Sequence, residues 1–254
     1  MTRRHSITVS LFLTLLYNTS CTQPAPKKII QIKISKILAS SDPYRNKVVD
    51  SLKYLIPILD SVLDNDQIYR KADLLDDGKI DYSAGLEKFT LHKDSARIID
   101  SINLNIISKI IDKYGWLGYS DIGIAGNLAM FMVIQHSSLK IQEKYLPLIK
   151  EAVFKKKVQA GHLAMLEDRI AVRKGELQTY GTQIFIDSKK RNHIYPLNEP
   201  DSLFVRRKQM NMGDSAGYIN QLKNYKIEWN LEVYKKELPH LIKEAQKKYK
   251  QQSK

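Results

Sequence analysis

The chain has 254 residues, of which 43% are hydrophobic and 27% are charged. This composition is typical of a globular protein with a core and excludes a wholly disordered chain. The formal net charge is +14, but the excess is spread thinly. The one dense group of lysines lies near the C-terminus (Lys243, Lys247, Lys248, Lys250, Lys254). We therefore predict a solvated basic surface and no nucleic-acid partner.

The only cysteine, Cys21, limits the chemistry that the chain can perform. An intramolecular disulfide and a cysteine-based zinc site are excluded, because each needs more than one thiol. The sequence also contains no nucleophile elbow, phosphate-binding loop or glycine-rich dinucleotide fingerprint. It therefore predicts no cofactor.

The N-terminal residues have the pattern of an export signal. Arg3 and Arg4 precede the apolar residues 7–17. This apolar stretch is shorter than the about 20 residues that span a hydrocarbon core. The pattern predicts a signal peptide over residues 1–20 rather than a transmembrane helix.

Cys21 marks the predicted cleavage site. The small residue Ser20 precedes it, as in lipoprotein signals, although Asn18 stands where leucine is usual. We predict lipidation of Cys21, with an ordinary secretory signal or a start codon assigned too early as the alternatives. Residues 21–28 contain two prolines and predict an extended tether. The mature chain is therefore expected in the bacterial cell envelope, periplasmic or surface-exposed, with the membrane as a partner through this lipid.

Apolar residues at helical spacing follow the tether. Asp42-Pro43 is predicted to begin a helix that Pro57 kinks or divides. Residues 96–114 predict a long amphipathic helix with Gly115 as its C-terminal stop and a stripe of isoleucines on its buried face (Ile98, Ile99, Ile102, Ile106, Ile110, Ile111). Further helices are predicted over residues 127–136, 141–156, 158–171, 201–210 and 231–249. Short connections between them favour antiparallel packing.

The pattern changes in the second half of the chain. Residues 178–186 are rich in β-forming residues, and residues 193–195 favour a further strand. In a regular strand Gln178, Tyr180 and Thr182 would share one face. The predicted fold class is mainly α, multi-helical with antiparallel helices, with a small β-hairpin or sheet around residues 172–196.

A set of motifs in residues 114–212 resembles the bacterial domain of unknown function 6624. The matching motifs are Gly115-Trp116, Gln135-His136, Gln142, residues 163–169 (LAMLEDR), Gly175, residues 178–183 (QTYGTQ) and Val205-Arg206-Arg207. Ser138 departs from the family pattern, in which an acidic residue is common there, and Met165 stands where an aromatic residue is common. The resemblance implies a domain over residues 113–225 but no particular reaction. It leaves an N-terminal helical region, residues 29–112, and a basic C-terminal helix, residues 226–254.

His136, Asp168 and Arg169 are the candidate catalytic residues. His136 follows an apolar helical stretch, where it can act as a general base, a ligand or a C-terminal cap. Asp168 and Arg169 are adjacent, so they point about 100° apart on a helix and reach different elements. Arg169 would either clamp the fold through backbone carbonyls or contact a substrate.

Gln135, Gln178, Tyr180 and Gln183 are the candidate ligand-binding residues. Glutamine does not titrate, so its role would be to orient a ligand through hydrogen bonds. We also considered a metal set of two further histidines with His136 and Asp168 (His162, His193). Its spacing matches no compact ligand motif, so no metal site is predicted.

These residues are compatible with three interpretations. The first is a non-catalytic envelope lipoprotein whose polar patch binds a glycan, a peptide or a protein. The second is an extracytoplasmic hydrolase with His136 as base, oriented by Asp168 and Arg169, beside the hairpin residues 178–183. In the third, the motif only stabilises the junction between helix and hairpin.

Overall fold

The structure, a computed structural model, describes residues 33–68, 70, 73–74, 80–81 and 92–252. The predicted signal peptide, Cys21 and the tether lie outside these residues. The helices are α1 (Ile34–Ser40), α2 (Asp50–Lys53), α3 (Leu55–Gln67), α4 (Lys93–Tyr114), α5 (Tyr119–His136), α6 (Leu139–Phe154), α7 (Ala160–Arg173), α8 (Leu203–Gln209), α9 (Ser215–Lys223) and α10 (Leu231–Gln252). The prediction of a mainly α fold is confirmed.

Short antiparallel strand pairs supplement the helices. β1 (Asp73–Leu74) pairs with β2 (Ile80–Asp81), and β3 (Ile184–Ile186) pairs with β4 (Asn192–Ile194). In the second pair, Phe185 lies opposite His193. Two 3₁₀ turns complete the described elements, at Arg45–Lys47 and Pro200–Ser202.

Helix α5 is the centre of the larger core. Ala129, Met130, Phe131 and Ile134 on this helix have no exposed surface, and α1, α3, α4, α6 and α7 pack around it. Helix α3 approaches closely at Gly126, where an added Cβ would lie 3.1 Å from Leu59 Cδ1. A helix that is apolar on all sides is expected in such a central position.

A second apolar cluster joins the β3–β4 pair to helices α8–α10. Its members come from strands, loops and helices (Phe185, Ile194, Tyr195, Leu197, Leu203, Tyr218, Leu222, Ile227, Tyr234, Leu241, Ala245). Helix α7 contacts both clusters, because Leu166 belongs to the larger core and Val172 packs against the second one. Residues on α7 can therefore link the two halves.

The N-terminal helices differ from the prediction. Asp42-Pro43 does not begin an α-helix, since only a 3₁₀ turn follows at Arg45–Lys47. The Asp42 carboxylate accepts hydrogen bonds from Tyr44 N at 2.9 Å and Ile124 N at 2.6 Å. Gly123 breaks the first turn of α5 with φ +75° and frees the Ile124 N–H for this bond. The predicted division of the following helix is observed between α2 and α3. It lies just before Pro57, whose ring lacks the N–H donor.

The long α4 helix ends as predicted, at Gly115 with φ +69°. Its buried face, however, is formed by Ala96, Asn103, Ile107, Ile110 and Ile111. Two isoleucines of the predicted stripe, Ile98 and Ile102, are more than half exposed. The periodicity therefore predicted the helix correctly but not its full buried face.

Candidate functional site

His136, the last residue of α5, forms a pair with Asp66 at the end of α3. The imidazole Nδ1 lies 2.9 Å from both carboxylate oxygens of Asp66. Burial opposes the Asp66 charge, but His136, Arg70 and Gln67 outweigh it and lower the pKa of this carboxyl. Burial also lowers the pKa of His136, against the effect of Asp66.

This pairing determines which imidazole nitrogen is left for chemistry. An ionised carboxylate only accepts hydrogen bonds, so Nδ1 carries the proton that is donated to Asp66. In the neutral ring Nε2 is then an acceptor, and no described residue bonds to it. The His136 side chain is 13% exposed, whereas that of Asp66 is 1% exposed. Nε2 is therefore the nitrogen that a ligand can use as an acceptor or a base.

Arginines surround the pair. Arg70 binds Asp100 at 2.7 Å and lies 3.6 Å from Asp66. Arg173, at the end of α7, donates to the carbonyl of Ser137. Arg169, one turn earlier on α7, has a buried Nε without a hydrogen-bond partner. Burial, followed by repulsion from Arg173 and Arg70, lowers the pKa of Arg169 to about 10.

Asp168 points away from this cluster and binds the loop of residues 178–183. One carboxylate oxygen accepts the N–H groups of Thr179 and Tyr180 at 2.7 and 2.9 Å. The other accepts the N–H and the hydroxyl of Thr182, both at 2.9 Å. Burial raises the pKa of Asp168, and these hydrogen bonds oppose it. The Asp168 carboxylate is therefore already occupied inside the fold.

This arrangement corrects the predicted strand at residues 178–183. Asp168 takes the backbone N–H groups that a sheet would use, and Gly181 adopts φ +69°. The segment is a loop, and β3 begins only at Ile184. The expectation that Gln178, Tyr180 and Thr182 share one strand face is therefore wrong.

The candidate ligand-binding residues also have partners inside the protein. Gln178 is fully buried, donates to the carbonyls of Gln183 and Tyr195, and accepts Gln183 N at 2.8 Å. The Tyr180 hydroxyl donates to Glu167 at 3.3 Å. Burial and Glu167 raise the pKa of Tyr180 to about 12. The Gln183 amide donates to Thr182 Oγ1 at 2.9 Å.

Gln135 connects three helices. Its side-chain NH₂ group donates to the Met165 carbonyl on α7 at 3.2 Å, and its backbone carbonyl accepts the side-chain NH₂ group of Gln142 on α6 at 2.7 Å. Both glutamines are buried. They join α5, α6 and α7 directly beside His136.

The clamp to backbone carbonyls that was considered for Arg169 is formed by other residues. Arg207 donates to the Tyr180 carbonyl at 2.8 Å and stacks on the Tyr218 ring at 3.9 Å. Arg206 donates to the Thr179 carbonyl at 3.0 Å. Both arginines belong to the Val205-Arg206-Arg207 motif, for which the sequence alone predicted no role. Together with Asp168 they hold the loop from two sides.

The candidate residues therefore separate into two groups. His136 and Arg169 face a cluster with Asp66, Arg70 and Arg173, whereas Asp168, Gln178, Tyr180 and Gln183 form the loop network. Sequence reasoning missed Asp66, which lies 70 positions before its histidine. The one feature of the sequence that pointed to Asp66 was its position, since it is a charged residue at the end of the apolar stripe of α3.

The histidines considered for a metal site have separate partners. His162 stacks on Phe131 with ring centroids 4.3 Å apart, and His193 bonds to Asp187 at 3.0 Å. Within the residues that the structure describes, no group of three or more His, Cys, Asp or Glu side chains is placed to hold a metal ion. A surface groove of about 380 Å³ lies elsewhere, between β4 and α10, and includes Trp229 and Tyr234.

Comparison with known sequences and structures adds one result. Residues 84–228, more than half of the chain, match a family of unknown function, DUF6624. Neither the curated proteins nor the solved structures gave a match. In the described part of the chain, no helix has the length and apolar character needed to cross a membrane. The resemblance seen in the sequence is confirmed, and the chain belongs to the DUF6624 family.

Proposed function

We propose that the chain is a lipid-anchored protein of the bacterial cell envelope that binds an envelope ligand at the Asp66–His136 pair, where α3 meets the family domain. The anchor is supported by the sequence: Arg3 and Arg4, the apolar residues 7–17 and the Ser20-Cys21 junction. A lipid on Cys21 would place the domain at a membrane surface. There a glycan, a peptide or another protein is the available partner.

One observation carries the binding proposal. His136 Nε2 and the Arg169 guanidinium have no hydrogen-bond partner among the described residues, although Arg169 Nε is buried. Buried polar groups are nearly always bonded, so the open donor of Arg169, taken together with the partly exposed His136 imidazole, supports a site completed by a ligand or by water. Asp168, Gln178 and Gln183, in contrast, have their partners inside the protein.

A second candidate function, a hydrolase, is favoured by the geometry of the same pair. Asp66 holds Nδ1 at 2.9 Å, and a carboxylate in this position orients a histidine that acts as a general base through its other nitrogen. The orienting carboxylate would then be Asp66 rather than Asp168. Arg169 would contact the substrate.

A metabolic label tests the anchor. Cells that express the chain are grown with labelled palmitate, and wild type is compared with Cys21→Ala. The matched control is Ser20→Ala, which keeps a small residue before the cysteine. We expect label in wild type and in the control only. Equal labelling of the Cys21→Ala variant would refute the anchor.

A panel of purified envelope glycans, peptides and chromogenic esters tests the site. Wild type is compared with His136→Ala, and His193→Ala is the matched control because it removes another histidine paired with an aspartate. Binding that only the His136 variant loses supports the binding module, and turnover that only this variant loses supports the hydrolase. If all three proteins behave alike, His136 is not the site.

A further inference from the structure

Arg169 is a partly buried cation in a positive environment. The nearest charged groups that act on it are Arg173, Arg70 and Asp66. Its Nε is buried without a partner, and the structure gives its guanidinium no ion pair with a described residue. Buried charges in proteins are normally paired and hydrogen-bonded, because their desolvation is costly.

The neighbouring charges do not neutralise Arg169. Asp66 is bonded to His136 at 2.9 Å and is approached by Arg70 at 3.6 Å. Asp100 binds Arg70 at 2.7 Å. The acids of this cluster thus already have partners, whereas none of the described acids forms an ion pair with Arg169. One negative charge is missing beside Arg169.

The missing charge has a defined chemistry. A guanidinium is a planar fork of N–H donors that matches an oxyanion such as a carboxylate or a phosphate. Arg173 lies one turn further along the same face of α7.

We propose that Arg169, with Arg173 beside it, forms an oxyanion subsite that takes a carboxylate or phosphate group of the ligand. This inference rests on the proposed function, because it names the chemical class of the group bound at the same site. Asp168, Arg206 and Arg207 form no part of the subsite, because their side chains hold the loop. Arg169 contacts the ligand, whereas Asp66 only positions His136.

The experiment measures the melting temperature of the full chain in detergent while inorganic phosphate or acetate replaces chloride at constant ionic strength. These two probes distinguish a phosphate from a carboxylate group. Wild type is compared with Arg169→Met and with Arg191→Met, a control that removes an exposed arginine paired with Asp187. Excluded anions stabilise proteins nonspecifically, so the difference between variants is the readout.

We expect a saturable rise of the melting temperature with one of the two anions in wild type and in the Arg191 control. Arg169→Met should melt at a higher temperature than wild type in chloride, because it removes a partly buried cation that Arg173 and Arg70 repel, and should show no saturable response. A saturable response retained by Arg169→Met would overturn the proposal. A lower melting temperature of this variant in chloride, or no response of wild type to either anion, would do so as well.

Arg169→Lys covers the case in which the methionine variant does not fold. Lysine keeps the charge but loses the planar fork, so the anion concentration at half-response should rise about tenfold. An unchanged concentration would overturn the subsite. If wild type binds a member of the envelope panel through His136 but shows no response to either anion, only the subsite is refuted. If the anion response depends on Arg169 but no panel member binds through His136, only the proposed function is refuted.

Discussion

Replacing Asp168 with asparagine tests whether this residue holds the loop of residues 178–183. The substitution keeps the shape of the side chain and removes its charge. The carboxylate uses one oxygen for the N–H groups of Thr179 and Tyr180 and the other for the N–H and hydroxyl of Thr182. An amide offers a single oxygen, so one side of this arrangement must face an NH₂ group instead of an acceptor.

The expected cost follows from these contacts. A hydrogen bond to a charged acceptor contributes about 1.5–3 kcal/mol, and a buried N–H left unsatisfied costs about 1–3 kcal/mol. The loop is only half-buried, so water can replace part of the loss. We expect the free energy of unfolding to fall by about 3–5 kcal/mol, out of the about 5–15 kcal/mol that is typical of a folded protein.

Urea unfolding followed by circular dichroism measures this loss. The control is Glu167→Gln, at the position before Asp168 on α7. Among the described residues, Glu167 accepts a hydrogen bond from the Tyr180 hydroxyl and forms an ion pair with an exposed lysine. We expect the control to change stability by less than about 0.5 kcal/mol. If Asp168→Asn loses no more than the control, the assignment of Asp168 to the loop rather than to a ligand is wrong.

Two further predictions concern His162 and Gly123. Burial lowers the pKa of His162 to about 4, so the neutral ring is favoured in the fold, and stability should fall by about 2–3 kcal/mol as the pH drops from about 6.5 to 4. Urea unfolding at pH 7 and pH 4.5 should show a loss that is larger by about 2 kcal/mol in wild type than in His162→Gln, because His136 contributes equally to both, and equal losses would contradict it. In Gly123→Ala the new Cβ would lie 2.5 Å from Asp42 Oδ2 at a φ of +75°, so we expect a loss of about 3 kcal/mol in thermal unfolding. Gly213→Ala, at a φ of +79° with open space around it, should lose only about 1 kcal/mol, and equal losses would exclude the Asp42 contact as the cause.

Helices could be predicted from the sequence where the signal was local. The helix over residues 96–114 has apolar periodicity and a glycine stop, and both appear in α4 and Gly115. Helix α9 was not predicted, because its short polar sequence has no such stripe. The strand at residues 178–183 was wrong because a carboxylate from α7 replaces the sheet partners of this segment. β-propensity alone does not contain that information.

The candidate site could be predicted only in part. His136 and Arg169 belong to motifs and were selected as such, but their neighbours Asp66 and Arg70 come from α3 and the residues after it. No local spacing relates positions 66 and 136, and their contact exists only because α3 packs against α5. The division of the motif residues into a ligand-facing group and a loop-holding group also required the hydrogen bonds.

The contribution of α3 makes the site conditional on a helix outside the matched family range. Leu59, Val62 and Leu63 of α3 are buried in the core, and Asp66 on the same helix holds His136. Any local opening that lifts α3 from α5 therefore releases the imidazole at the same moment as it exposes the core. Hydrogen exchange of the α3 amides and proton uptake at His136 should then report a single event. A fragment limited to residues 84–228 would lack both the carboxylate and this coupling.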